Sequence, residues 1–182
     1  MTNRVNGILE TKRLILRPWR ETDADSLFKY ASNPEIGPAA GWPVHESVDY
    51  SLDVIRNIFM QDGVWAVTEK DHDEAIGMIS LIRGAKSNFD IPDSEAEISY
   101  WIGRPFWGRG YIPEAMQEVV RFGFEELELD CIWCGYFDGN EKSKRVQEKC
   151  GFLHHHTNPL ANFELIDVWR IEHVTCLKKL RE

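Results

Sequence analysis

The residues whose types and spacing could do chemistry run from Glu95 to Leu127, EAEISYWIGRPFWGRGYIPEAMQEVVRFGFEEL. Glu97 to Ile102 reads as a strand and Trp107-Gly108-Arg109-Gly110 as a turn. Apolar residues then recur at spacings of three and four (Ile112, Ala115, Met116, Val119, Val120, Gly123, Phe124, Leu127), which predicts a helix. A glycine turn at a helix start can hold phosphate, because free N–H groups and the positive end of the helix dipole converge there. Successive N–H groups of Gly108, Arg109, Gly110 and Tyr111 could form such a nest. Pro113 falls in the first turn, where no intrahelical donor is needed. Two rival glycine motifs are excluded. A P-loop needs Lys-Ser/Thr after its last glycine, and Tyr111 follows Gly110. A dinucleotide fingerprint needs a third glycine where Pro113 stands. A plain strand-to-helix turn fits the same residues, so the glycines alone leave both readings open.

Other elements must position this stretch. Ile8 to Trp19 reads as a first strand, and Thr22 to Asp25 as a capping-box start to a helix carrying Leu27, Phe28 and Ala31. Residues 36–43 form a Gly/Pro-rich loop, and Ser47 caps a second helix with Val48, Leu52, Ile55 and Phe59 on one face. Val64–Glu69 and Ala75–Ile82 predict a hairpin. Cys131–Phe137 reads as a strand buried on both faces. Asn140 caps a helix to Lys149, Gly151 ends it, and Phe152–His156 and Phe163–Leu177 close the chain as strands around Thr157-Asn158-Pro159. The order predicts one domain over residues 1–182, with a mixed sheet and helices on both faces. Strands 97–102 and 131–137, joined by a helix, should be parallel.

Composition narrows the class of function. A chain of 182 residues with 43% hydrophobic and 28% charged residues suits a soluble domain with a real core. No apolar run approaches the ~18 residues of a membrane span, and the N-terminus lacks a secretory apolar segment, so no membrane association and a cytoplasmic location are expected. A net charge of −9 disfavours nucleic acid and mildly favours a cationic partner. Cys131 and Cys134 lie three apart in a strand, on opposite faces, and cannot jointly clamp a metal. His154 and His156 would share a strand face, but no third ligand is evident, so no metal is expected. Trp42, Trp65, Trp133 and Trp169 read as core or cleft residues.

Taken together, ETKRLILRPW near the start, AEISYWIGRPFWGRGYIPEA in the middle and NEKSKRVQEKCGF near the end resemble the GCN5-related N-acetyltransferases (GNAT), most closely the Rim-type branch. The resemblance covers most of the chain. It implies the acyl-CoA N-acyltransferase fold, a mixed sheet of six to seven strands, with acetyl-CoA between two splayed parallel strands. The turn would then take the CoA pyrophosphate, through Trp107, Gly108, Arg109, Gly110 and Tyr111. Two positions depart from the family pattern: Pro105 stands where Arg or Gln opens the pyrophosphate motif, and Gln147 where many relatives carry a tyrosine general acid.

Acetyl transfer to an amine needs a held thioester, a stabilised oxyanion, a neutral amine and a way for the thiolate to leave. Backbone groups of Trp101, Ile102 and Gly103 are expected to hold the thioester. Glu97 is the candidate base, directly or through a water. The resemblance implies Ser143 as donor to the thiolate and Asn140 as a ligand of pantetheine or substrate. Tyr100 is a second polar candidate. Glu114, in the first helical turn, reads as structural. The acceptor could be a protein N-terminus or a small amine, with residues 36–47 and 157–163 shaping its cleft, and the chain a monomer or homodimer. The alternative is an acyl-CoA-binding module that has lost catalysis, favoured by Gln147 and opposed by Ser143 and Glu97.

Overall fold

The computed structural model describes residues 7–163 and 168–180, the side chains of 162, 163, 168 and 169 excepted. One sheet organises the chain. Its eight strands are β1 (Leu9–Glu10), β2 (Leu14–Pro18), β3 (Val64–Glu69), β4 (His72–Arg83), β5 (Glu95–Ile102), β6 (Cys131–Phe137), β7 (Leu153–Phe163) and β8 (Val168–Lys178). Their order is β1-β2-β3-β4-β5-β6-β8-β7, antiparallel except for β5 beside β6. The helices are α1 (Ala24–Ala31), α2 (Gly37–Ala40), α3 (Val48–Val54), which runs on as a wider turn through Ile55–Phe59, α4 (Tyr111–Glu125) and α5 (Glu141–Lys149).

The sheet has one strand more than the six to seven expected, because residues 8–19 make two strands. Leu9 pairs with Leu16 across a turn in which Thr11 Oγ1 accepts from the Leu14 N–H at 3.0 Å. Glu114 of α4 holds that turn from outside, accepting from Thr11 Oγ1 (2.6 Å), Arg13 N (2.8 Å) and Arg13 Nε (2.7 Å). The structural reading of Glu114 is therefore correct, and its partners are far away in sequence.

A second correction concerns 157–163, which is strand rather than loop. Thr157 pairs with His173 and Ala161 with Arg170, with an irregularity between Asn158 and Ala161. Pro159 is tolerated because β7 is the outermost strand, where a missing N–H costs no ladder bond on the open side.

Strand alternation sorts the two faces. Leu81, Ile98, Tyr100 and Ile132 lie on one face, which α4 and α5 cover. Gly123 of α4 sits so close that an added Cβ would meet Ile132 at 3.0 Å and Leu81 at 3.2 Å. Glu97, Trp101 and Gly103 lie on the other, against α1 and Trp42: the Trp42 and Trp101 rings are 5.9 Å apart, and Tyr30 packs directly on Gly103. Leu14, Leu16, Leu27, Ile55, Ile79, Ile98, Met116 and Ile132 are fully buried between these layers. Burying such side chains contributes about 1.5–3 kcal/mol each.

Candidate active site

The parallel pair comes apart partway. β5 and β6 stay in register from Glu95↔Cys131 to Glu97↔Trp133 and no further. Each strand keeps its outer partner, β5 through Ile102↔Gly77 and β6 through Phe137↔Glu172, so a gap opens between two supported strands. Backbone groups alternate between neighbours. Gly103 N–H donates to the Ile76 carbonyl at 2.8 Å, and the Trp101 carbonyl lies against Gly77. Trp101 and Gly103 thus turn their backbones to β4, and Tyr100 and Ile102 turn theirs to the gap. Of the three residues expected at the thioester, Ile102 faces it, with its carbonyl already accepting from Trp107 Nε1 at 3.0 Å.

On the helical face the gap is closed by hydroxyl and amide groups. Asn140 caps α5 by accepting from Ser143 N–H at 3.1 Å, which places Ser143 in the first turn over β5. Ser143 Oγ is 2.8 Å from the Tyr100 hydroxyl. Gln147, one turn on and 1% exposed, donates from Nε2 to Ser143 Oγ (3.2 Å) and to the Gly135 carbonyl (3.0 Å). Its Oε1 accepts from Thr175 Oγ1 of β8 at 2.7 Å. Burial raises the Tyr100 hydroxyl pKa far above that of a free phenol, so Tyr100 is a neutral hydrogen-bonding group.

The opposite face carries carboxylates. Glu97 is 8% exposed, and its two oxygens accept from Asn88 N (2.6 Å) and Asn88 Nδ2 (3.0 Å). Burial pushes its pKa up, Asn88 pulls it down, and the Glu172 charge pushes it up again. Glu172 stands over Gly135: an added Cβ there would lie 2.8 Å from Glu172 Oε1 and 3.4 Å from Phe89. Residues 37–42 lie across this side, with Arg170 Nη1 donating to the Pro38 carbonyl at 2.6 Å and Asn140 Nδ2 to the Ala39 carbonyl at 3.4 Å. The buried indole N–H of Trp101 has no partner among the described residues.

The glycine turn sits at the start of α4. Gly108 and Gly110 have φ of +75° and +76°, the left-handed region that glycine enters without strain. Space is not the reason, because an added Cβ at Gly108 would meet nothing within 4 Å. Among the described residues, the N–H groups of Gly108, Gly110, Tyr111 and Ile112 donate to no protein acceptor, whereas Arg109 N–H reaches back to the Phe106 carbonyl at 3.5 Å. Four N–H groups around two left-handed glycines suit a pyrophosphate. Arg13 steadies the turn, donating to the Arg109 carbonyl at 3.0 Å and lying 4.6 Å from the Tyr111 ring centre. Trp107 has Arg104 at 4.7 Å and Lys142 of α5 at 3.7 Å from its ring. Lys142 thus ties α5 to the turn and brings the Ser143 end of the gap close to it.

Other sequence candidates fall elsewhere. His155 is a bulge residue, so His154 pairs with Thr175 and His156 with Val174. Adjacent partners point to opposite faces, so His154 and His156 do not share one. Among the described residues no group of three or more His, Cys, Asp or Glu could hold a metal. Cys131 and Cys134 are buried, and burial pushes the Cys131 thiol up to about 12 and the Cys134 thiol well above its ordinary value. Trp42 packs on Trp101 beside the gap and Trp65 is core, while the Trp169 side chain lies outside the described residues. Sequence reasoning missed Thr175, Asn88, Glu172 and Gly135. Their roles arise where the strands separate, and nothing local in the sequence marks that place.

The sequence model of the acetyltransferase (GNAT) domain matches residues 13–153, so the chain belongs to the GNAT family. An uncharacterised N-acetyltransferase of Bacillus subtilis, YoaA, is 33% identical over 150 residues, covering 80% of this chain and 82% of that protein. The FsC-acetyl coenzyme A-N(2)-transacetylase of Aspergillus fumigatus is 36% identical over 160 residues, 85% of this chain and 68% of its own length. The crystal structure of a GNAT-family acetyltransferase from Bacillus anthracis superposes with a TM-score of 0.82 over 94% of this chain and 98% of its own, at 18% identity. The protein is an N-acetyltransferase, and enzymes of its family take the acetyl group from acetyl-CoA. No helix among the described residues is long and apolar enough to cross a membrane.

Proposed function

We propose that the chain moves the acetyl group of acetyl-CoA to a primary amine, a protein N-terminus or a small amine, by direct attack within a ternary complex. The observation that carries this reading is the gap between β5 and β6, with hydroxyl donors on one face and a carboxylate on the other. Acetyl-CoA supplies the activated acyl group, a thioester. The turn from Trp107 to Tyr111 would grip its pyrophosphate, and the backbone of Ile102 would line its pantetheine.

Ser143 donates toward the departing sulfur from the helical face. Glu97, on the other face, takes the proton that the amine sheds, directly or through a water. An acyl-enzyme route through Cys131, Cys134 or Cys150 is disfavoured, since burial raises their pKa and disfavours their thiolates. An α-amine with pKa near 8 sheds its proton far more readily than a lysine near 10.4, so a carboxylate base suits the former. The Aspergillus relative, named for transfer from acetyl coenzyme A to a nitrogen, supports a nitrogen acceptor.

The test is thiol release from acetyl-CoA with a panel of amino-acid amides, peptides with free N-termini, and polyamines, with products weighed by mass spectrometry. The expected result is amine-dependent release and a product heavier by one acetyl group, with α-amines preferred over side-chain amines. Tight CoA binding with no release from any amine would overturn the reading in favour of a binding module.

A further inference from the structure

Gln147 is one of the most deeply buried polar groups among the described residues. Its hydrogen bonds have a fixed direction. The Gly135 carbonyl can only accept, so the amide atom 3.0 Å from it must be Nε2. The other amide atom is then Oε1, which also only accepts, so the Thr175 hydroxyl 2.7 Å away donates to it. The second Nε2 hydrogen lies closer to Ser143 Oγ, at 3.2 Å, than to the Tyr100 hydroxyl, at 3.5 Å. The Tyr100 hydroxyl approaches Ser143 Oγ at 2.8 Å and the Ser143 carbonyl at 3.2 Å. The single Tyr100 proton can serve the Ser143 carbonyl, with Ser143 O–H donating to Tyr100, or it can serve Ser143 Oγ. Gln147 thus always occupies one lone pair of Ser143 Oγ; when the Tyr100 proton takes the other, the Ser143 O–H is released to an acceptor in the gap.

We infer that Gln147 and Thr175 are positioning residues that set the polarity of this network, so that Ser143 presents its O–H to the thioester sulfur. The inference rests on the reading of Ser143 given above. In the step concerned, the amine nitrogen bonds to the acyl carbon, the C–S bond breaks, and its electron pair stays on sulfur. The Ser143 O–H hydrogen-bonds that thiolate without surrendering its proton, so no serine alkoxide forms. The surplus amine proton leaves on the opposite face, and the thiolate is protonated by water after release.

The experiment combines Ser143→Ala, Gln147→Ala and the double variant with Thr175→Val and Thr175→Ser, reading kcat, KM for acetyl-CoA and thermal melting. Ser143→Ala is expected to lower kcat about 100-fold. Gln147→Ala is expected to lower it about 10-fold, with KM changed less than about threefold. The double variant should be no slower than Ser143→Ala, since a residue acting through another adds nothing once that residue is gone. Thr175→Val nearly keeps the shape, loses the donor and should lower kcat severalfold; Thr175→Ser should restore it. The Thr175 pair keeps the test decisive if Gln147→Ala does not fold. Additive losses in the double variant, or equal rates for Thr175→Val and Thr175→Ser, would overturn the positioning role. An unchanged kcat in Ser143→Ala would overturn the Ser143 reading itself, and the inference with it.

Discussion

Two buried polar networks lie in this molecule, and they are built on opposite terms. The first surrounds Arg17, 3% exposed. Its guanidinium donates to both Asp23 oxygens at 2.8 Å, to Asp73 Oδ1 at 2.6 Å, to the Asp73 carbonyl at 2.8 Å and to the Pro18 carbonyl at 3.1 Å. All five N–H donors of an arginine are satisfied inside the protein. The second joins Tyr100, Ser143, Gln147 and Thr175 and reaches the gap. There Gln147 and Thr175 have fixed directions, while the Tyr100 and Ser143 protons can each turn between two acceptors, one of the Ser143 choices lying in the gap. Burial, polarity and short hydrogen bonds are common to both. What separates them is where the sheet stops pairing: the Arg17 network ties the well-paired β2 to the turn before α1, while the Ser143 network lines the gap where β5 and β6 part. A closed network holds a fold, and one with a hydroxyl that can turn to an opening can act on a substrate.

The comparison breaks most forcefully at Asp23. Asp23→Ala removes the bidentate partner and leaves the buried Arg17 charge with one carboxylate, Asp73, which is 66% exposed and hydrated. Breaking a buried ion pair from one side costs about 3–5 kcal/mol. Chemical denaturation should show a loss of that size, with kcat per folded molecule unchanged. A fall in kcat without a fall in stability would merge the two networks into one functional unit.

His45 sharpens the line between them. It lies in the segment that covers the gap, yet it is bound like a structural group: 5% exposed, Nδ1 2.8 Å from Ser51 Oγ, and ringed by Trp42 and Tyr50 at 5.3 and 4.9 Å. Burial lowers its pKa to about 4. Because the folded value lies below the unfolded 6.5, the unfolded chain takes up the proton first. Stability is then full above pH 6.5 and falls as pH drops toward about 4, by about 2–3 kcal/mol. His45→Gln should flatten that part of a stability-versus-pH curve and leave kcat at neutral pH in place. An unaltered slope would show that His45 is not the titrating group.

Much of this was legible in the residues. The glycine turn, the Asn140 cap and the parallel pair follow from local rules, and β5 alternation alone puts Glu97 and Tyr100 on opposite faces. The misreadings have one cause. The break at Thr11–Arg13 depends on Glu114, about a hundred residues away, and Pro159 passes in a strand because β7 has an open side. Thr175 and Gly135 gain meaning only from Gln147, which reaches both across the sheet. A one-dimensional pattern carries period and punctuation. It does not carry which carbonyl a buried amide will find.

The smallest effect separates the networks most finely. Tyr100→Phe removes one hydroxyl from the gap and keeps the ring that packs against the core. If Tyr100 serves the Ser143 network, its loss frees one lone pair of Ser143 Oγ and lets the Ser143 proton turn away from the sulfur part of the time. A partial loss of orientation should lower kcat about tenfold, equivalent to about 1.4 kcal/mol. Stability should fall by no more than the ~1 kcal/mol of an ordinary hydrogen bond, because Ser143 and Gln147 still satisfy each other. Melting temperature and kcat, measured on the same preparation, decide it. A large stability loss with kcat unchanged would move Tyr100 into the company of Arg17, as a group that holds the fold and leaves the chemistry to others.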